Sequence, residues 1–392
     1  CIRDSNHFGP SDLNLWQFDG WSENGLGGIY FYNDWRCETP WGNTRPDYGR
    51  GEVRQFIRDN ALMWLEEYHV HVLRMDMTLY IRRVHPGAEL PDGWSLAQWI
   101  NREINTNFPG RITIAEDLQH DEWLTKDVQW GGAGFGAQWD SNFVHPIRAA
   151  VIGAEDRYRS MYAVRDALCY SYNGDPFERV VYSESHDEVA NGKARVPSEI
   201  DHDDPHNYYA QKRSTLAAGL VFTSPGIPML FQGQEFLEGG WFRDTVPLDW
   251  HLEDDFQGIV RLYRDLIALR LNHQGYSRGL CGRGINVHHL NDPQDLLAFC
   301  RWDQGGPGDD VVVVVNFSAE SRDDYTIGFP REGTWRLRLN SAWRGYSSVF
   351  SDHSSGDLET VRGPYDGLDH HAAVSIAPYT LLIYSQDPID PS

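Results

Sequence analysis

Apolar and polar residues alternate along this chain with two periods. From Glu52 to Tyr68, the positions Val53, Phe56, Ile57, Asn60, Ala61, Trp64, Leu65 and Tyr68 recur at i, i+3, i+4 and i+7. That spacing predicts an amphipathic helix. After a short turn, Val70, Val72 and Leu73 predict a buried strand that turns ionic at Arg74 and Asp76. Ser95 is placed to cap a second helix with Leu96, Trp99, Ile100, Ile104 and Phe108 on one face, stopped by Pro109-Gly110. Arg111 to Ala115 predicts a strand ending at Glu116-Asp117. Helical text runs over Val144–Val151 and Met161–Tyr170, and a strand over Arg179–Ser183 ends in Glu184-Ser185-His186-Asp187-Glu188. A helix over Tyr208–Phe222, a strand over Pro228–Glu235 and a helix over Asp254–Leu271 complete the series. Helix, turn and strand in repetition is the α/β pattern, and the expectation is a (β/α)8 TIM barrel.

Beyond residue 275 the period shortens. Asn286–Leu290, Leu296–Trp302, Val311–Phe317, Trp335–Leu339 and Ala373–Tyr384 read as strands separated by Gly, Asp, Pro and Ser. This predicts an antiparallel β-sandwich. The division is therefore a barrel over residues 1–275 and an all-β C-terminal domain over 276–392. The stretch Ser11–Arg50 is about forty residues of Gly, Asn, Asp, Trp and Tyr, longer than a connector needs. Gly131 to Ala137 (GGAGFGA) contains GxGxxA without the preceding strand of a dinucleotide site, and is read as a loop feeding a strand over Gly136–Trp139. Asn316-Phe317-Ser318 has the form of a glycosylation sequon but lies inside a strand.

Charge and aromatic content narrow the partners. A net charge of −23 over 392 residues argues against nucleic acid and anionic membrane surfaces. Aromatic residues at 13%, with 15 Trp, suit a neutral hydroxyl-rich ligand whose ring faces can be stacked upon. Cys1, Cys37, Cys169, Cys281 and Cys300 are scattered, odd in number and in no CxxC pair. They predict free thiols, a reducing and so cytoplasmic setting, and no metal or cofactor site.

Three apolar strands tipped with carboxylates, at Asp76, Glu116 and Asp187, predict an acidic site at one mouth of the barrel. Acid clusters can hold a divalent cation, although such sites usually add His or closely spaced carboxylates. Two carboxyls can instead run retaining glycoside hydrolysis, one as nucleophile and one as acid/base. Arg74 beside Asp76 favours an ionised nucleophile, and burial favours a protonated Glu116.

Taken together, NHFGP, LRMD, IAED and SESHDE resemble the four sequence regions of the α-amylase superfamily, glycoside hydrolase family 13, over roughly residues 6 to 270. The resemblance implies Asp76 as nucleophile, Glu116 as acid/base and Asp187 as transition-state stabiliser, with His7, Arg74 and His186 binding substrate. WLEEYHV, IAED, ESHDE and the phrase from Tyr30 to Val53 are most similar to glycogen branching enzymes. NHFGP and TPWG are also similar to maltooligosyltrehalose trehalohydrolases. Two positions depart from the family pattern: Ile2 stands where it has Asp, and His71-Val72 where it has Asp-Gly, so Val72 is expected to crowd the barrel. The chain is expected to begin in the third barrel strand and to be a fragment. The resemblance implies an enzyme of the 1,4-α-glucan branching type acting on glycogen, amylose or maltooligosaccharide. It would cleave α-1,4 bonds and form α-1,6 bonds through a glucosyl ester on Asp76. The alternatives are an α-1,4-glucan or maltooligosyltrehalose hydrolase on the same machinery, and a non-catalytic glucan-binding remnant.

Overall fold

The computed structural model describes residues 20–389 except 24, together with the backbone of a strand at residues 2–5. Packing divides the chain into two compact units: Cys1–Ser141 with Tyr172–Val180, and Asn142–Ser171 with Val181–Ser392.

The first unit is an alternating β/α assembly. Strands β1 (Ile2–Ser5), β2 (Val72–Met75), β3 (Ile112–Ala115) and β4 (Ala137–Trp139) pair in parallel in chain order, and β4 pairs with the start of β5 (Arg179–Val181). Helix α1 (Gly51–Glu66) precedes β2; α2 (Thr78–Arg82) and α3 (Pro91–Asn107) lie between β2 and β3. Its core takes part of the periodic face expected from the sequence, with Leu65, Leu73, Leu96, Ile100 and Ile104 buried together; Leu62 joins them from outside the expected face, while Phe56 and Tyr68 of that face are exposed. Each of the buried side chains contributes about 1.5–3 kcal/mol of transfer free energy. Helix α3 starts four residues before the expected cap. Pro91 fits the first helical position because it lacks an N–H that would otherwise need a partner. Ser95 lies inside the helix, donating to Asp92 O (3.0 Å) and accepting from Arg54 Nη1 (3.2 Å).

The run GGAGFGA is glycine-rich for packing. A Cβ on Gly132 would stand 2.0 Å from Lys126 O, and Gly134 takes φ +79°, a region that disfavours other residues. Buried Asn101 ties this loop to α3 and β3, donating to Ala133 O (2.8 Å) and accepting from Thr113 Oγ1 (2.6 Å). The strand it feeds is β4. Val72 does not disturb the sheet: it is half-buried and sits in regular register between Ile2 and Ile112.

The second unit holds α4 (Ser141–Ile152, from its second residue), α5 (Met161–Cys169), α6 (Val196–Ile200) and α7 (Tyr208–Thr223). The strand expected over Pro228–Glu235 is only β6 (Ile227–Pro228). Beyond it a turn forms at Gly233 (φ +87°), and the Gln234 side chain accepts from Phe231 N (3.0 Å) and donates to Ser183 Oγ (2.7 Å). The helix expected over Asp254–Leu271 is two, α8 (His251–Asp255) and α9 (Gln257–Arg270), broken at Phe256, whose ring packs on His206. Strands β7 (Gly284–Asn291), β8 (Leu296–Trp302), β9 (Val311–Asn316), β10 (Arg322–Phe329), β11 (Gly333–Asn340), β12 (Leu358–Tyr365), β13 (Leu368–Ile376) and β14 (Thr380–Ser385) follow. They pair in the order β10-β13-β12-β11-β14-β9-β8-β7, all antiparallel. The β10-β13-β12 part faces the rest across a core that includes Phe329, Val374, Val312 and Tyr384, which is a sandwich. The single strand expected over Ala373–Tyr384 is β13 and β14 with a turn at Tyr379, whose φ is +45°. Strands β10 and β12 were not legible because their exposed polar residues mask the alternation. The sequon is no acceptor: Asn316 is buried and its amide donates to Glu320 O (2.8 Å) and Ala377 O (2.9 Å).

Candidate active site

Register alone brings three side chains of the first unit to one level. Met75 is paired with Ala115, and Ala115 with Gln138, so the next residues, Asp76, Glu116 and Trp139, emerge side by side from adjacent strands. The ladder continues past the strand ends, with Glu116 N donating to Met75 O (3.0 Å) and Thr78 N to Glu116 O (2.8 Å).

Arg74 joins the group. Its Nη2 stands 3.1 Å from Asp76 Oδ1 and 2.7 Å from Glu116 Oε2. The guanidinium lies over the Trp139 ring at 4.3 Å, a cation–π arrangement that shields the charge from water. Glu116 Oε2 also accepts the Met77 N–H (2.9 Å), and Met77 reaches it through a left-handed backbone at φ 37°. A non-glycine residue held there is uncommon. Glu116 is buried, whereas the Asp76 side chain is 23% exposed. The next carboxylate, Asp117, goes to a different cation: Arg82 donates to both its oxygens at 2.8 Å, and Thr78 Oγ1 at 3.2 Å. Two arginines thus separate the adjacent Glu116 and Asp117. Trp139, Arg82 and Thr78 are the supporting residues that sequence reasoning missed; the doubled acid of IAED was the available signal.

In the second unit, the chain leaving β5 carries the remaining predicted residues. His186 Nε2 and Asp187 Oδ2 are 3.3 Å apart, with side chains 41% and 48% exposed. Their neighbours are buried and structural. Burial pushes the Glu184 carboxyl up, against the opposing Arg195 charge and the Val196 N–H, which donates at 2.6 Å. Burial also pushes Glu188 up, but His145 (3.1 Å) and Lys193 (3.0 Å) outweigh it and hold the carboxyl at about 2. The structure therefore brings Arg74, Asp76 and Glu116 together in one unit, and His186 and Asp187 in the other. His7 lies outside the described residues. The described cysteines, Cys37, Cys169, Cys281 and Cys300, are free. Among the described residues no group of three or more His, Cys, Asp or Glu could hold a metal ion, and no helix is long and apolar enough to cross a membrane.

The architecture is an α-amylase-type fold, a β/α assembly followed by an antiparallel β-sandwich. Residues 287–387 match the family described as alpha amylase, C-terminal all-beta domain. Along nearly its whole length the chain is similar to enzymes named 1,4-alpha-glucan branching enzyme. That of Paramagnetospirillum magneticum is 29% identical over 98% of this chain and 52% of its own length. That of Shewanella baltica is 30% identical over 97% and 52%. The chain spans about half the length of these curated relatives. Among solved structures, a pullulanase from an Anoxybacillus species complexed with maltotetraose superposes with a TM-score of 0.68, at 18% identity, over 98% of this chain and 54% of that one. A type I pullulanase from Bacillus subtilis complexed with maltose gives 0.67, at 18% identity, over 99% and 53%. The resemblance to the α-amylase superfamily, and most to its branching enzymes, thus extends through the C-terminal domain.

Proposed function

We propose that this chain is the catalytic portion of a retaining α-glucan enzyme of the 1,4-α-glucan branching type. The observation that carries the reading is that two carboxylates meet one guanidinium at the ends of adjacent parallel strands. Asp76 Oδ1 and Glu116 Oε2 contact the same nitrogen at 3.1 and 2.7 Å, so these oxygens are no farther apart than the sum of those distances. Retaining pairs work at roughly 5–5.5 Å. Asp76, the more exposed of the two, attacks the anomeric carbon and becomes a glucosyl ester. Glu116 protonates the departing glycosidic oxygen; because Oε2 already accepts from Met77 and contacts Arg74, the proton resides on Oε1. In the second step Glu116 takes the proton of an acceptor 6-hydroxyl as that oxygen displaces Asp76. Asp187 stabilises the cationic sugar of the transition state, and His186, Arg74 and His7 hold hydroxyls. The names of the relatives support transfer as the second step. The free thiols support a reducing, cytoplasmic setting.

The test is to incubate the protein with amylose, following α-1,6 linkages by proton NMR alongside reducing ends. Transfer gives a growing α-1,6 signal with few new reducing ends, because water is a poor competitor for the ester. Reducing ends rising steeply without α-1,6 signal would replace the transferase with a hydrolase. No change in either would leave a glucan-binding protein without catalysis.

A further inference from the structure

Helix α2 is five residues long, has no side-chain cap, and starts at Met77, whose backbone is left-handed at φ 37°. A helix this short does not hold itself, and a methionine stays left-handed only where its surroundings impose it. The ties that impose it run to the end of β3. Thr78 N donates to Glu116 O (2.8 Å), and Thr78 Oγ1 lies 3.0 Å from the same oxygen and 3.2 Å from Asp117 Oδ2. Arg82 follows at i+4, on the same face of the helix. Its Nε and Nη2 donate to the two oxygens of Asp117 (both 2.8 Å), and its Nη1 reaches Asp121 Oδ2 (3.1 Å). Asp121 is fixed in turn: its carboxylate accepts from Trp123 N (3.0 Å), and its carbonyl from Gln138 Nε2 on β4 (2.9 Å). Asp117 is fully buried and Thr78 nearly so. A two-pronged pair of this kind fixes orientation as well as charge. What the clamp delivers is one N–H, because Met77 N donates to Glu116 Oε2 at 2.9 Å.

We propose that Arg82 is a positioning residue for the proton transfer assigned to Glu116, an inference that rests on the function proposed above. Arg82 acts through two intermediaries. By seating α2 on Asp117 it aims the Met77 peptide at Glu116 Oε2, which leaves the proton to Oε1. By giving Asp117 a cation of its own it leaves Arg74 to Asp76 and Glu116. Thr78 is the second grip of the same clamp, one turn earlier. Proton transfer is sensitive to such seating, since a misplacement of about 1 Å costs on the order of a hundredfold in rate.

The experiment compares a long maltooligosaccharide with the α-glycosyl fluoride of the same oligosaccharide, in the unsubstituted protein, Arg82→Lys, Thr78→Val and Glu116→Gln. Fluoride departs without being protonated, so kcat/KM for its release does not call on the acid. Arg82→Lys keeps the charge and loses the fork; Thr78→Val keeps the shape and loses the hydroxyl. Both are expected to lose about 10- to 100-fold on the oligosaccharide and less than about threefold on the fluoride. Hydrogen exchange of the Met77 amide, read in protein carrying isotope-labelled methionine at its 5 Met positions, should quicken about tenfold in both. Equal losses on the two donors overturn the inference, since a general loosening of the site produces them. Unchanged rates on both donors, or an unchanged Met77 amide, overturn it as well. Should Arg82→Lys not fold, Thr78→Val carries the same expectations. Glu116→Gln tells the two readings apart. Equal loss on both donors there removes Glu116 as the acid, whereas selective loss at Glu116 without selective loss at Arg82 and Thr78 strikes the positioning role alone. An unsubstituted protein that turns over neither donor overturns both.

Discussion

Two acid-rich strand ends in this protein look alike in sequence and differ in physics. After β2 and β3, Asp76 and Glu116 share one guanidinium. After β5, Glu184, Asp187 and Glu188 stand within five residues, and each has its own closest partner; only Arg148, 3.9 Å from Glu188 and acting on Glu184 through its charge, is common to two of them. Glu184 is sealed against Arg195 and the Val196 N–H, Glu188 is locked by His145 and Lys193, and Asp187 is left outside with His186. In the first case two carboxylates concentrate on one cation; in the second, two carboxylates are spent on holding a loop that presents a third. A carboxylate at a strand end is therefore a candidate for chemistry only once its neighbours are known.

Activity should show the contrast most strongly. Asp76→Asn is expected to lower α-glucan turnover at least about a thousandfold, since no ester can form, and Glu116→Gln by about 10²–10⁴ on unactivated substrates. Asp187→Asn should cost about 10²–10³, whereas Glu188→Gln, one residue away, should change kcat by less than about threefold. Equal losses at 187 and 188 would erase the distinction between presented and structural acids.

Stability sharpens it at the next scale. Arg74→Met leaves the ionised Asp76 without its cation, beside a buried Glu116, and should destabilise the fold by about 3–5 kcal/mol. Arg195→Met should cost less, about 1–3 kcal/mol, because burial already favours the neutral form of Glu184 and the Val196 N–H remains to serve it. Urea unfolding of both variants at neutral pH decides the order, and a larger loss at Arg195 would reverse it.

The smallest effect is a pH slope. The Glu188 carboxyl falls from 4.5 to about 2 on folding. Its stabilisation is therefore complete above about pH 4.5 and is lost as pH drops through that window towards 2. The contribution is on the order of 2–3 kcal/mol. Glu188→Gln should flatten unfolding free energy against pH in that window; an unchanged slope would mean that His145 and Lys193 do not hold the charge.

Much of this was legible without coordinates. The helical face of α1 and the unbroken apolar runs of β8 and β9 declare themselves by period, because burial on one or both faces demands it. The acid tips of β2, β3 and β5 declare themselves because charge beside an apolar run needs a reason. Other elements were hidden where tertiary contacts override local preference. Phe256 breaks α8 from α9 by packing on His206, and Gln234 completes a turn where a strand was expected.

By itself the sequence determined the α/β order, the all-β C-terminal domain and the identity of the residues at the strand ends, since these follow from hydrophobic period and residue type. Tertiary structure alone decided that Asp76, Glu116 and Trp139 stand at one level, that Arg74 contacts both carboxylates, and that Glu188 rather than Asp187 is buried. The physical reason is distance. Coulomb and hydrogen-bond energies are set by ångström separations and by the water excluded around them, and residues some forty positions apart in the chain acquire those separations only when strand register aligns them.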